Sequence, residues 1–499
     1  MDTRQDEFLR AHPPLDLTLY RHQQRGYEYV LSHLFQSPDR VPYGRGAALL
    51  MEQGCGKTFT AAAALGALFQ TRRATRAVVL CPLSVVGVWE RDLTHIKLDG
   101  MTVRIINASG DAKRRAKAFT RAEEPENGVY PPTVIIINYD SAWRKDGRNI
   151  PVLNFKPDVA ILDEGHKIKA HTTAVAKFAR ILGQKVPYRM LLTGTAITNS
   201  PMDIFSEYLF VDPGVFGGSF YAFRGHYFDM VGYGYHTPVF RKCLFEEFTN
   251  KIASRSFRVT KAECLDLPEK TDEIRTVELE PKAMKIYRDL VKESYSDLVS
   301  GGISANNVLT RMLRLSQLTG GFLRGDEAEY AQAVSTAKLD ALRDLLEAAR
   351  SDGQKVVVIA RFTAEINAIR KLCEEMKLRY STIAGDTKDR AGEVERFQHD
   401  PEVAVFVGQI AACCTGITLH AARLMVFYSM DYSMANFEQC RDRIHRIGMD
   451  TTQPCHYIYL CAAKTVDLKV LASVRDKRDL ARSLIDDARR GINPYESEE

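Results

Sequence analysis

Short apolar runs recur along this chain in two series, and they constrain its fold more than any other feature. Ala47–Met51, Ala77–Cys81, Val134–Ile137, Val159–Leu162 and Met190–Leu192 form the first series. Val356–Ile359, Val403–Val407, Leu424–Tyr428 and Tyr457–Leu460 form the second. Each run is followed by small, polar or charged residues, and helical patterns alternate with the runs. That alternation predicts parallel sheets covered by helices, with the reactive loops at the carboxyl ends of the strands. Two series predict an α/β chain of two parallel-sheet lobes.

The 499-residue length agrees, because a chain of that size exceeds a single core. The lobes are expected at 1–270 and 271–499, joined near Leu267-Pro268-Glu269-Lys270. From about 200 to 337 the strand rhythm lapses and helical patterns dominate, including Pro281–Leu298 and Asn307–Leu318. These read as helical insertions, about 201–262 in the first lobe and about 281–334 in the second, with bracing helices at about 465–490. The glycine- and aromatic-rich stretch Phe216–Tyr235 reads as an irregular surface excursion.

Composition excludes some classes. No run of about 18 apolar residues is present, and Met1–Arg10 is charged rather than signal-like, which places the chain inside the cell and away from membranes. The expected compartment is the cytoplasm of a bacterium or of a virus-infected host, or the nucleus in a eukaryote. Ten cysteines without a C-x-x-C pair read as buried reduced thiols rather than zinc ligands. A net charge of +5 is mild, so nucleic-acid binding requires local groups rather than a global field. Lys113-Arg114-Arg115 reads as a solvated face.

Three short segments carry chemistry. In Gly54-Cys55-Gly56-Lys57-Thr58, the glycines let backbone N–H groups wrap around phosphates. Lys57 then reaches the terminal phosphates and the Thr58 hydroxyl holds Mg²⁺, although Met51 stands where the usual pattern has its leading glycine. Asp163 and Glu164 emerge from the end of a buried run; Asp163 is expected to hold the metal and Glu164 to orient the attacking water. Arg443 and Arg446, three apart on one expected helix face, carry planar forks suited to a triphosphate bound by a different part of the chain. Each segment alone has an ordinary structural reading as a turn, a helix start or a basic face. Their order along one chain favours a split ATP site.

Together these segments resemble the SNF2 family of superfamily 2 ATPases, over most of the chain from Leu19 to about Lys477. Leu19-Tyr20-Arg21-His22-Gln23 with Gly26 is similar to the family's adenine-reading segment, and Gln439–Gly448 to its arginine motif. Cys81-Pro82-Leu83-Ser84 with Trp89, Asn138-Tyr139-Asp140-Ser141 and Leu192–Asn199 match further motifs. So do Gly385–Arg390 and Gly416-Ile417-Thr418-Leu419. The resemblance implies two RecA-like lobes and an ATP-driven, Mg²⁺-dependent motor on double-stranded or forked DNA, acting as a monomer. It implies nucleotide contacts at Gln23, Gly54, Cys55, Gly56, Lys57, Thr58 and Gln439. It also implies DNA contacts at Ser84, Tyr139, Ser141, Thr193, Thr195, Thr387, Arg390 and Thr418. Ala196 and Gly165 depart from the usual proline and alanine, and Ala411-Ala412 with Thr418 lie closer to the annealing-helicase branch. A strand-separating helicase and a catalytically silent DNA-binding scaffold are the competing readings.

Overall fold

The computed structural model describes residues 3–36, 45–147, 149–194, 197, 200–231, 237–264, 268–299, 305–323, 331–413, 417–446, 449 and 453–482. The chain divides into two compact units that meet in sequence at Leu265 and Asp266. Each is an α/β lobe of the RecA-like type, built on one parallel sheet.

The first lobe contains β1 (Arg45–Met51), β2 (Arg76–Cys81), β3 (Arg104–Asn107), β4 (Thr133–Asn138), β5 (Val159–Asp163), β6 (Tyr188–Leu192) and β7 (Ser256–Val259). Their order across the sheet is β3-β4-β2-β5-β6-β1-β7. Alternate residues of one strand serve opposite faces, so Ala48 and Leu50 of β1 join one apolar core while Ala47, Leu49 and Met51 join the other. Register then fixes the site. In β6, which lies between β1 and β5, Leu192 is level with both Leu49 and Asp163, so the loops after these three strands open at one end of the sheet.

The second lobe contains β8 (Lys270–Val277), β9 (Val356–Ala360), β10 (Arg379–Ile383), β11 (Val403–Gln409), β12 (Leu424–Phe427) and β13 (Cys455–Ala462), in the order β8-β13-β12-β9-β11-β10. A buried polar network pins its helices. Lys338 Nζ pairs with Asp467 Oδ2 at 2.6 Å and donates to the Tyr428 carbonyl at 3.0 Å. Beside it, Glu365 accepts from the backbone N–H groups of Arg361 and Phe362 and from the Ser429 hydroxyl.

Four expectations change. The stretch from about 200 to 337 does hold strands, because β7 pairs with β1 and β8 with β13. Phe216–Tyr235 is not irregular where it is described: the helix Phe220–Tyr227 runs through it, and Phe216, Phe223, Tyr227 and Phe228 are buried while Tyr221 and Val231 stay exposed. The rings of Phe216, Phe223 and Tyr227 pack edge-on or tilted with Phe248, at centroid separations of 5.2 to 5.4 Å for Phe216 and Tyr227. Aromatic density, read as a loop signal, is here a local core. Among the ten cysteines, Cys243 is exposed and Cys264 partly so, against the expectation of uniform burial. Arg115 is buried, while Lys113 and Arg114 are exposed as expected of a solvated face.

Candidate nucleotide site and nucleic-acid interface

In the first lobe the loop from Glu52 to Gly56 joins β1 to the helix Lys57–Gln70. Gly54 and Gly56 adopt φ of 87° and 80°, a region that L side chains enter at a cost. At Gly56 a Cβ would also overlap the Gln23 side-chain amide, so glycine is required there twice over. Gln23 holds its own position by accepting from Tyr20 N at 2.8 Å, and His22 Nε2 lies 2.9 Å from the Cys55 carbonyl. The segment resembling an adenine reader is therefore packed onto the phosphate-type loop. Cys55 is buried against Cys264, with 3.4 Å between the sulfurs, and burial holds its thiol well above the usual range. Met51 is the last residue of β1 and fully buried, so the position of the missing glycine belongs to a strand rather than a turn. Its carbonyl accepts from Lys57 Nζ at 2.9 Å, and the Glu52 carbonyl lies 3.4 Å from the same ammonium. Thr58 follows in the first turn, half-buried.

Asp163 ends β5 and Glu164 follows at φ 54°, also left-handed. Both carboxylates are nearly buried. Asp163 Oδ2 accepts from Trp89 Nε1 at 2.8 Å and Oδ1 from Glu164 N at 3.0 Å. Glu164 accepts from the Gln53 amide and lies 3.3 Å from His166 Nδ1. Burial and the neighbouring Glu164 charge raise the Asp163 carboxyl above its ordinary range. For Glu164 burial pushes upward too, but His166, Lys57 and Gln53 outweigh it and hold the group ionised. Two adjacent buried carboxylates facing one lysine form a strongly anionic pocket of hard oxygen donors. The departure at Gly165 has a steric cause, because a Cβ there would meet the Leu191 side chain at 2.5 to 2.8 Å.

The proposed DNA contacts divide into exposed and internal groups. Ser84 is exposed in the turn Leu83–Val85. Tyr139 and Thr193 are buried: the Tyr139 hydroxyl donates to the Asp163 carbonyl at 2.8 Å, and Thr193 Oγ1 lies 3.4 Å from His166 Nδ1. Both side chains thus serve the acidic pair rather than an open surface. Ser141 Oγ is mostly buried and lies 3.5 Å from the Gly110 carbonyl. Thr195 lies outside the described residues.

In the second lobe Thr387 accepts from Ala384 N at 2.9 Å and stabilises the turn ahead of the helix Arg390–His399, whose first residue is a half-exposed Arg390. Gln439 is buried in the helix Met434–Arg441. That helix ends at Arg441, so Arg443 and Arg446 do not share a helix face; they occupy the turns that follow. Their forks converge instead on one segment. Arg443 donates to the Gln439 carbonyl at 2.8 Å and the Ile417 carbonyl at 3.0 Å. Arg446 donates to the Thr418 hydroxyl at 2.7 Å and lies 3.3 Å from the Ile417 carbonyl. Arg443 is almost wholly buried, Arg446 partly exposed. Gln53, Trp89 and His166 also touch the acidic pair, though sequence reasoning assigned them no part in it. Gln53 beside Gly54 and His166 two residues after Glu164 were positioned to be noticed; Trp89 lies 74 residues from Asp163 and gave no local signal.

The sequence signature of the SNF2-related domain covers residues 22–378, and that of the helicase conserved C-terminal domain covers 337–448. The chain belongs to the SNF2-related family. It is 24% identical to Protein CHROMATIN REMODELING 4 of Arabidopsis thaliana over 81% of its own length and 18% of that protein's. It is 23% identical to the DNA repair and recombination protein RAD54-like of Gallus gallus, over 95% of this chain and 68% of that one. An uncharacterized ATP-dependent helicase of Mycoplasma genitalium is 23% identical over 89% of this chain, which spans 40% of that relative. Among solved structures, the Sulfolobus solfataricus SWI2/SNF2 ATPase core in complex with dsDNA aligns with a TM-score of 0.43 at 23% identity, covering 98% of this chain and 97% of that one. No helix among the described residues of this SNF2-related chain is long and apolar enough to cross a membrane.

Proposed function

We propose that this SNF2-related chain is a DNA-dependent ATPase that couples ATP hydrolysis to translocation on double-stranded DNA and remodels DNA or DNA–protein structures during repair, recombination or replication. The observation that carries the proposal is the convergence of Lys57, Asp163 and Glu164 at one end of a parallel sheet, in a chain whose family signature spans both lobes. Lys57 neutralises phosphate charge, and its present bonds to two main-chain carbonyls keep the ammonium aimed at the loop. The left-handed Gly54 and Gly56 let the loop curve round phosphate oxygens, with the Cys55 N–H bonded to the Glu52 carbonyl at 3.2 Å. Glu164, ionised and steered by Gln53 and His166, orients and polarises the attacking water.

The anionic pocket and the Thr58 hydroxyl fit a hard divalent cation, and Mg²⁺ held by Thr58 and Asp163 would supply charge neutralisation at the phosphates. In the second lobe Arg446 supplies positive charge to the departing phosphate, while the buried Arg443 braces the Ile417–Thr418 segment. Duplex phosphates are gripped mainly by hydroxyls and backbone amides, with Ser84, Thr387, Arg390 and Thr418 as contacts, which suits a net charge of only +5. The relative named for DNA repair and recombination supports that setting. Phosphate release measured with duplex DNA, single-stranded DNA and RNA tests the proposal. Stimulation by duplex above the other two is expected, and equal rates with and without duplex would refute it.

A further inference from the structure

Two hydrogen bonds reach Asp163 from segments outside the phosphate-type loop, and one of these segments lies beside the exposed Ser84 hydroxyl proposed above for duplex phosphates. Trp89 Nε1 donates to Asp163 Oδ2 and the Tyr139 hydroxyl to the Asp163 carbonyl, each at 2.8 Å. Trp89 lies in the helix Val86–Asp92, directly after the turn Leu83–Val85 that carries exposed Ser84. Tyr139 opens the helix Tyr139–Ala142, which carries Ser141. Both donors are buried, Trp89 completely. Neither segment can shift against the sheet without lengthening its bond to Asp163.

We infer that Trp89 and Tyr139 are positioning residues that couple duplex engagement at Ser84 to the placement of Asp163, Trp89 through its carboxylate and Tyr139 through its main-chain carbonyl. The inference rests on the proposed function and adds its route of regulation. The carboxylate needs such restraint, because the Glu164 charge beside it repels it while Glu164 N holds its other oxygen. A charged acceptor held at both oxygens has one rotamer, and a partner of this kind typically sets metal affinity over about ten- to a hundredfold. Duplex phosphates that fix the Leu83–Val85 turn therefore fix the Asp163 carboxylate through Trp89, against a main chain that Tyr139 holds.

The test uses the full chain. Trp89→Phe keeps the ring and removes the N–H; Tyr139→Phe removes the hydroxyl alone. Each is expected to raise the Mg²⁺ concentration for half-maximal hydrolysis by roughly tenfold or more and to reduce the fold stimulation by duplex. Nucleotide-free affinity of Trp89→Phe for duplex should stay within about twofold, since no DNA contact is removed. A readout without turnover comes from Trp143→Phe, which leaves Trp89 as the sole tryptophan of the two. Its emission should respond to Mg²⁺ titrated in the presence of ADP, at lower Mg²⁺ when duplex is bound. Wild-type Mg²⁺ dependence and stimulation in both Phe variants, or a Trp89 emission blind to Mg²⁺, overturns the inference while leaving the ATPase assignment intact. A wild-type chain whose hydrolysis ignores duplex removes the functional reading and this coupling together.

Discussion

Gly165→Ala adds a single methyl group where the resembling family commonly has alanine, and the structure makes that group costly here. The new Cβ would sit 2.5, 2.7 and 2.8 Å from Leu191 Cγ, Cδ2 and Cδ1. Carbon atoms pack best at about 3.5 to 4 Å, so roughly 1 Å must be found for each contact. Leu191 is fully buried in β6, which is hydrogen-bonded to β1 on one side and β5 on the other, so the backbone has no freedom to supply it. Overpacking of this kind costs about 1–3 kcal/mol, and the lower chain entropy of unfolded alanine offsets about 0.4–1 kcal/mol of it. The net expectation is a loss of about 1–2 kcal/mol. A fall in phosphate release should accompany it, because the displaced turn carries Glu164 and His166. Leu191→Ala removes all three clashing atoms, at a cavity cost of about 2–5 kcal/mol. In that background Gly165→Ala should be neutral or stabilising, giving a coupling of about 1–3 kcal/mol between the sites. Urea unfolding midpoints of the four proteins measure it. Equal stability of wild type and Gly165→Ala, with no coupling in the cycle, would refute the steric account.

Other outcomes follow from the same geometry. Burial, partly offset by Ser429 and two backbone N–H groups, raises the Glu365 carboxyl to about 7. The folded chain therefore binds this proton more tightly than the unfolded chain, and stability should decline by about 3 kcal/mol as pH climbs from the ordinary carboxylate range through about 7. Glu365→Gln should flatten that slope in denaturation midpoints measured across pH; an unchanged slope would count against a buried neutral acid. Iodoacetamide should label exposed Cys243 well before Cys55, whose thiol is buried and held protonated, as peptide mass spectrometry can follow. Early labelling of Cys55 would mean that the phosphate-type loop opens far more readily than its packing on Gln23 and His22 implies.

How much of this was legible in the sequence depended on burial. In the two large sheets every strand recognised as an apolar run lies inside, and the strands missed there, β3, β7, β8 and β10, are the four edges. An edge strand is covered on fewer sides, so its sequence mixes polar and apolar residues; Lys270–Val277 alternates between half-buried and exposed along its whole length. Lys57, Asp163 and Glu164 were legible because the loops that carry them follow central strands. The hydroxyls of Tyr139 and Thr193 were not, since a side chain's direction depends on partners distant in sequence, here Asp163 and His166. Spacing placed Arg443 and Arg446 on a helix, whereas the helix stops at Arg441 and the two forks meet again on the Ile417–Thr418 segment. Trp89 illustrates the limit most sharply: its ring fills the core as its composition predicts, and only the fold aims its N–H at an acid in another strand.

Duplex-controlled hydrolysis that depends on Lys57 and Arg446 is the core of the proposed function. Phosphate release by wild type, Lys57→Ala and Arg446→Ala, each with and without duplex, tests it most directly. Duplex should stimulate the wild type, and each variant should lose roughly a thousandfold in rate, the scale expected for a group that neutralises transferring phosphate, while still binding duplex. Near-normal, duplex-stimulated turnover in Arg446→Ala would remove Arg446 from the proposed reaction, and near-normal turnover in Lys57→Ala would place the nucleotide elsewhere.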